Sequence, residues 1–342
     1  MGTVAYDISI GSLSASSRSN QNPVQLLSLT SELTMDGAGG RCSLEFAASD
    51  ATLPKPGDTT QITLDDGSAS AVVFTGEMFG IATSPTRYIV TGTDGLTKLA
   101  RLDIEAAYES VSAGSIASEL VQTAGLSAGN IEDGPTFSRY VLHRGPRALR
   151  HLQRLAESCG FDLFTDGEGK VHFEAPRSGS ADHSFQHAEQ VLELDLQVVL
   201  PVYDGLVVWG EGAASSMGSD KDHWLASDLA STSGKASIDA NFTVQSGSEG
   251  NSPRIIKDGA VRAGADAADQ ATARMTAIAS RAIRGHAVVL GSPGVNPGDL
   301  VSFEDIPDRH PTKAVVEGKV IRVRRVRHSL SPERGFTTRL EF

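Results

Sequence analysis

Pro56-Gly57-Asp58, an alternating strand, a turn and then Ala71-Val72-Val73-Phe74-Thr75-Gly76-Glu77 form a pattern that this chain writes twice. Near the other end it reads Pro297-Gly298-Asp299, another strand, a turn and Ala314-Val315-Val316-Glu317-Gly318-Lys319. Twenty residues separate Pro56 from Gly76, and twenty-one separate Pro297 from Gly318. Pro-Gly-Asp ahead of a strand is ordinary turn chemistry, so the triplet alone says little. The matched spacing behind it predicts a β-hairpin of one size at each end of the polypeptide. Two similar β modules give a chain a pseudo-symmetric surface, which points to assembly ahead of catalysis.

Around the first copy the pattern is β throughout. Residues 3–11 alternate as a strand, and 27–35 and 41–48 pair around the turn Asp36-Gly37-Ala38-Gly39-Gly40. Strands follow over 59–64, 70–81 and 86–93, broken at Asp65-Asp66-Gly67 and Ser84-Pro85. About six strands at this spacing suggest a small antiparallel barrel or sandwich over 1–95.

The texture changes at Gly95. Ser112 is placed to cap a helix over 114–124, with Ile116, Leu120, Val121 and Ala124 on one face and Gly125 as its stop. A second helix over 146–159 starts from Gly145-Pro146, with proline at its first position, and ends at Gly160. A hairpin over 161–174 turns at Asp166-Gly167-Glu168-Gly169. These elements make an α+β module over 96–190. From 191 the chain returns to β as a second module to 342, with an excursion over about 210–262 and a helix over 263–284. In the strand Lys319 to His328 the apolar parity slips between Val323 and Val326, which a β-bulge near Arg324 and Arg325 explains. The fold class is therefore mainly β with an α+β insert.

The totals agree. The 342 residues are 39% hydrophobic and 21% charged, a globular balance, with 35 glycines for turns. No apolar run reaches membrane-spanning length, and the start Met1-Gly2-Thr3-Val4-Ala5-Tyr6-Asp7 lacks the basic and apolar regions of a secretory signal. Cys42 and Cys159 lie far apart and read as buried free thiols of a reducing compartment. A net charge of −12 argues against binding nucleic acid through the bulk field.

Chemistry-bearing motifs are few. There is no P-loop, no G-x-S-x-G, no Cys-x-x-Cys, and Gly210-Glu211-Gly212 lacks the strand-to-helix setting of a phosphate cradle. Asp182, His183 and His187 have no third partner at metal-ligand spacing and read as solvated. Asp162, Asp166 and Glu168 flank a turn, which explains them better than acid–base work. Cys159 continues the apolar stripe of its helix, two turns from His151, and reads as core. The expectation is no catalytic residue, no metal and no cofactor. The densest charge is the basic strand Lys319, Arg322, Arg324, Arg325 and Arg327, an inversion in an acidic chain. It is the candidate surface for an acidic partner or a neighbouring copy, together with Pro56, Gly57, Asp58, Pro297, Gly298 and Asp299.

Several blocks resemble one family. Thr75-Gly76-Glu77 through Gly92-Thr93-Asp94-Gly95-Leu96-Thr97-Lys98-Leu99, Tyr108 through Leu120 to Ala124-Gly125-Leu126, and Leu152-Gln153-Arg154-Leu155-Ala156-Glu157-Ser158-Cys159-Gly160-Phe161 with the hairpin to Phe173 are similar to phage late-control gene D and VgrG-like baseplate hub proteins. Pro297-Gly298-Asp299 through His328-Ser329-Leu330, and Gly335-Phe336-Thr337-Thr338-Arg339-Leu340-Glu341-Phe342, resemble that family's last hairpins. The resemblance spans most of the chain except about 210–262. It departs at Arg147 to His151, where the family often carries an acidic and an aromatic residue.

The resemblance implies two tube-like antiparallel barrels per chain and a homotrimer. That ring would adapt a six-fold tail tube to a three-fold spike and line the ejection channel. Because the chain stops after the second barrel, the spike is expected as a separate protein. Implied partners are the tail-tube protein, the spike and other baseplate proteins, with no membrane insertion and no specific DNA contact. The implied location is the virion tail baseplate, or an injection particle assembled in the bacterial cytoplasm. An acidic channel wall that repels DNA or acidic cargo follows as an expectation. The rival readings are a tail-tip protein of a non-contractile phage, and a cell-wall hydrolase or glycan-binding module.

Overall fold

The computed structural model describes residues 3–19, 24–37, 39–210 and 232–342. Seven strands come first: β1 (Ala5–Ile10), β2 (Leu13–Ser16), β3 (Leu26–Thr34), β4 (Arg41–Ala47), β5 (Thr59–Asp65), β6 (Ser70–Thr83) and β7 (Arg87–Asp94). Then come α1 (Leu96–Arg101), β8 (Ala106–Ser112), α2 (Ala113–Thr123), β9 (Ala128–Ile131), β10 (Thr136–Leu142), α3 (Ala148–Cys159), β11 (Asp162–Thr165) and β12 (Val171–Glu174). The chain continues through β13 (His183–Gln186), α4 (His187–Gln190), β14 (Val191–Val198), β15 (Gly205–Gly210), β16 (Ser233–Ile238), β17 (Val244–Ser246) and β18 (Pro253–Asp258). It closes with α5 (Gly264–Ala279), β19 (Ile283–Leu290), β20 (Leu300–Glu304), α6 (Lys313–Val316), β21 (Ile321–Arg322), β22 (Arg325–Ser331) and β23 (Gly335–Glu341).

One curled sheet of eleven strands organises the molecule, in the order β14-β19-β23-β22-β3-β4-β7-β6-β5-β1-β2. Its two halves join where β22 pairs antiparallel with β3, Val326 opposite Leu33 and Arg327 opposite Glu32. Period-two alternation decides which face is buried. Leu29, Ser31 and Leu33 of β3, Leu44 and Phe46 of β4, and Val326 and His328 of β22 face inward. One hydrophobic cluster lies under β1–β7 and includes Phe46 stacked on Tyr88, ring centroids 5.3 Å apart. A second lies under β14, β19–β23 and α6.

The helical insert has its own core of Leu99, Ile116, Leu120, Leu152, Leu155 and Phe173. Ser112 caps α2, its Oγ accepting from the Ser115 amide at 3.1 Å. α3 ends at Gly160 in the left-handed region, φ 68°. α3 begins at Ala148, so Pro146 lies ahead of the helix rather than at its first position. The Ala148 amide donates to Leu102 O at 3.0 Å, which ties this entry to the end of α1.

Three further expectations change. The described part of the excursion is structured: β15 to β18 form a four-stranded sheet on which α5 packs, through Leu206, Val208, Ala236, Ala267, Ala271 and Met275. Residues 211–231, and with them Glu211 and Gly212, lie outside the described residues, as do Met1, Gly2 and Ala38. α5 stops at Ala279, not 284, because Ile283 to Leu290 are taken up as a strand between β14 and β23. Finally, Ala314-Val315-Val316 is a helical turn, not the return strand of a hairpin. β20 pairs instead with Ile321 and Arg322 of β21. Among the described residues no helix is long and apolar enough to cross a membrane.

Candidate assembly interface

The two Pro-Gly-Asp turns have one geometry. In each, the aspartate amide donates to the carbonyl three residues earlier, Asp58 to Lys55 at 3.0 Å and Asp299 to Asn296 at 3.3 Å. In each, the aspartate Oδ2 accepts from that same residue's amide at 2.8 Å. Gly57 has φ 95° and Gly298 φ 93°, the left-handed position that a turn with proline before it requires. Each turn then clamps one residue of a return strand. Gly57 N donates to Met78 O at 2.9 Å and Met78 N to Asp58 O at 2.8 Å. Gly298 N donates to Val323 O and Val323 N to Asp299 O, both at 2.8 Å. The structural counterpart of Met78 is therefore Val323.

The rest of the sheet follows that equivalence. Phe79 is an extra residue between the pairs Met78–Gly92 and Gly80–Thr91. Arg324 is extra in the same place, since the Arg324 amide reaches Glu341 O at 2.8 Å while Arg325 also sits opposite Glu341. This is the bulge that the parity slip predicts. The run β3-β4-β7-β6-β5 thus matches β14-β19-β23-(β22 with β21)-β20. Even the irregularity between Leu26 and Ser28 recurs between Val191 and Glu193.

The environments of the turns differ. Pro56 and Gly57 are exposed, whereas Pro297 and Gly298 are buried against the helical insert. A Cβ on Gly298 would stand 2.9 Å from Phe164 Cζ. Asn296 Oδ1 accepts from Gly167 N at 2.9 Å, and Asp299 meets His183 Nε2 at 3.1 Å. Gly167 also presses on β6, where a Cβ would lie 2.0 Å from Val72 O. The β11–β12 turn is thus wedged between the two copies.

The basic strand divides. Lys319 and Arg327 are exposed, and Arg325 pairs with Glu341 at 3.1 Å. Arg322 and Arg324 are buried and turn into the chain, away from the outer surface on which the sequence placed them. Arg322 meets Asp162 at 2.6 Å, and Arg324 meets Asp162 at 3.4 Å and Asp36 at 2.8 Å. Arg281 adds a third guanidinium to Asp162 at 3.3 Å. Burial lowers the pKa of Arg322. Burial alone would raise the Asp36 carboxyl, but the Arg324 guanidinium holds it below the usual range. Asp162 is thus an acceptor at the joint between insert and sheet, rather than a solvated turn residue. Nothing in its local sequence marks that role, because its partners lie more than a hundred residues away.

Asp94 is a second buried joint. It accepts from Gly40 N at 2.6 Å, Leu96 N at 3.1 Å and Thr165 Oγ1 at 2.5 Å, and burial pushes its pKa up. Asp166 binds Lys170 N at 2.9 Å and His172 at 3.0 Å, while Glu168 pairs with Lys170 at the surface. Asp182 accepts from Leu300 N at 2.9 Å, and the His187 ring lies edge-on to His310. Among the described residues no group of three or more His, Cys, Asp or Glu is placed to hold a metal. His151 meets His143 O at 3.0 Å, and Cys42 and Cys159 are buried thiols that burial pushes up to about 12.

Two strand edges went unrecognised in the sequence. β5 pairs with β6 only as far as Glu77, so among the described residues Phe79 to Thr83 have β7 on one side and no strand on the other. β14 has β19 on one side and ends the sheet. Both edges carry exposed apolar side chains: Phe79 is 62% exposed, Leu192 58% and Val198 45%. An exposed aromatic on an alternating strand is the signal that was available.

No protein-family model and no curated protein matches the sequence. Solved structures do match in fold. The 43 kDa tail protein of prophage MuSo2 from Shewanella oneidensis is 15% identical, with a TM-score of 0.70 over 99% of this chain and 98% of its own. A tail protein from Neisseria meningitidis MC58 is 14% identical, with a TM-score of 0.67 over 100% of this chain and 96% of its own. An Escherichia coli component of the type VI secretion system, described as structurally similar to the T4 bacteriophage tail proteins gp27 and gp5, is 16% identical. Its TM-score is 0.54, over 98% of this chain and 75% of its own. The fold is thus that of phage tail and baseplate hub proteins.

Proposed function

We propose that this chain is a structural baseplate hub of a phage tail or contractile injection particle. Three copies form a ring that joins a six-fold tail tube to a three-fold spike. The observation that carries this reading is the repeat of five strands within one chain, β3-β4-β7-β6-β5 and β14-β19-β23-(β22 with β21)-β20. Three copies of a twice-written module present six near-equivalent units on one side and a true three-fold on the other, which is what a six-to-three adaptor needs. The solved tail proteins of like fold support this setting. The partners are then a tube protein, the spike and neighbouring baseplate proteins, and the chain works in the virion tail without catalysis.

The solvent face of the sheet is the candidate channel wall. Across it one row runs Glu193, Val288, Arg339, Arg327, Glu32 and Arg41, in register through five strand pairs. His286 meets Glu193 at 3.0 Å, and Arg87 pairs with Glu45 at 2.5 Å on the same face. The row holds three arginines against two glutamates, so the surplus of acidic charge is not gathered along it as the sequence suggested. Arg87 and Arg339, already paired with Glu45 and Glu341, offer passing phosphates little.

Removing the chain from a strain that makes the particle tests the reading. The expected result is tubes and spikes that do not join. Full tails with spikes attached would contradict it.

A further inference from the structure

We infer that neighbouring copies join by pairing β14 of one with the outer edge of β6 of the next, in the register already used inside the chain between β3 and β22. This rests on the ring reading and adds to it the partner surface and the alignment.

The equivalence set by Met78 and Val323 carries through each ladder. Ile81, Ala82 and Thr83 lie opposite Val90, Ile89 and Tyr88 of β7. Val326, Arg327 and His328 lie opposite Leu340, Arg339 and Thr338 of β23 in the same way. On the far side of the module, Leu29 to Ser31 lie opposite Leu44 to Cys42, and Leu194 to Leu196 opposite Ala287 to Gly285. Val198 is therefore to β14 what Leu33 is to β3, and Gln197 what Glu32 is.

Within the chain, β22 presents Val326, Arg327 and His328 to Leu33, Glu32 and Ser31. The copied edges have the same parts but, among the described residues, face no strand of their own chain. The expected contacts are Ile81 with Val198, Ala82 with Gln197, and Thr83 with Leu196 of the neighbour.

The backbone groups point the right way. Val199 N donates inward to Ala282 O, so its neighbours Val198 and, two residues back, Leu196 direct their amides outward. Ser84 N donates to Arg87 O within the β6–β7 turn, so Thr83 and Ile81 likewise face outward. Leu194 O, farther along β14, accepts from Thr312 Oγ1 at 3.5 Å, but at Leu196 to Val198 and at Ile81 to Thr83 no strand among the described residues meets the outward amides and carbonyls, and such an open row is a template for a second strand. The apolar side chains nearest this register, Phe79 and Val198, are those such a junction would shield. The internal junction is charged, with Arg327 opposite Glu32, whereas the junction between copies has Ala82 opposite Gln197. The two joints of the ring therefore differ in salt sensitivity, and raised salt leaves the junction between copies intact.

The test uses the full chain with Ala82→Cys and Gln197→Cys together. Both positions are exposed, and they form the closely spaced, non-hydrogen-bonded type of pair in which a disulfide fits. The native thiols, Cys42 and Cys159, are buried. After mild oxidation, the expected result is a covalent ladder to the trimer on a non-reducing gel. Ala82→Cys with Asp195→Cys, two residues out of register, should give at least tenfold less. Ile81→Pro, which removes an outward amide from an edge, should weaken self-association at least tenfold while leaving the circular-dichroism spectrum unchanged. Sedimentation of the parent protein runs alongside. A trimer whose cysteines fail to link, or link better out of register, overturns this junction and leaves the ring standing. A monomer at every concentration overturns both.

Discussion

Met78 and Val323 stand 245 positions apart and hold the same place, each accepting from the glycine of a Pro-Gly-Asp turn and donating to its aspartate. That pair fixes how the two halves of the chain superimpose. It also shows where stability is concentrated, because the two turns sit in unlike surroundings.

Gly57→Ala and Gly298→Ala both force a side chain into a left-handed backbone, which costs roughly 1–2 kcal/mol. At Gly298 the new Cβ also meets Phe164 at 2.9 Å, whereas Gly57 opens to solvent. Urea unfolding should show both variants destabilised, with Gly298→Ala the worse.

Asp162 accepts Arg322, Arg324 and Arg281 in a buried setting. Asp162→Asn leaves buried guanidiniums without their carboxylate and should lower stability by about 3–5 kcal/mol. Arg327→Ala, on the exposed face of the same strand region, should change it by less than about 1 kcal/mol. Equal effects in chemical denaturation would contradict the division of the basic strand.

His328 is buried, and burial holds its pKa at about 3. A histidine in the unfolded chain titrates near about 6.5, so the unfolded state binds this proton more tightly. The stability gained by keeping the ring neutral is complete above about pH 6.5 and is lost as pH falls toward 3. The slope is about 1.4 kcal/mol per pH unit for one proton. Asp36 and Asp166, whose pKa values are lowered, add their losses only below the ordinary carboxylate range. Urea midpoints should therefore fall between pH 6.5 and 5, and His328→Asn should flatten that limb.

Burial pushes the thiols of Cys42 and Cys159 up to about 12. Neither should react with a disulfide reagent at pH 8 in the folded protein, and both should react in denaturant. Fast labelling of one native thiol would show that its core opens.

Local chemistry was legible in the sequence. The strands of 1–95, the α2 cap at Ser112 and the bulge at Arg324 each follow from alternation or turn residues within a few positions. Ala314-Val315-Val316 misled because its resemblance to Ala71-Val72-Val73 lies in composition alone. The pairing of β20 is decided by Asp299 and Val323, whose bonds no spacing rule registers. Asp162 was misread for the same kind of reason, since its three arginines arrive from distant strands. The edges at Phe79 and Val198 emerge only once the sheet order is known.

Electron-microscope class averages of the purified chain test the hub reading most directly. The expected particle is a hollow ring with true three-fold and apparent six-fold symmetry around an open channel. A compact particle without a channel, also in the presence of the spike protein, would contradict it and leave the internal repeat without a role in assembly.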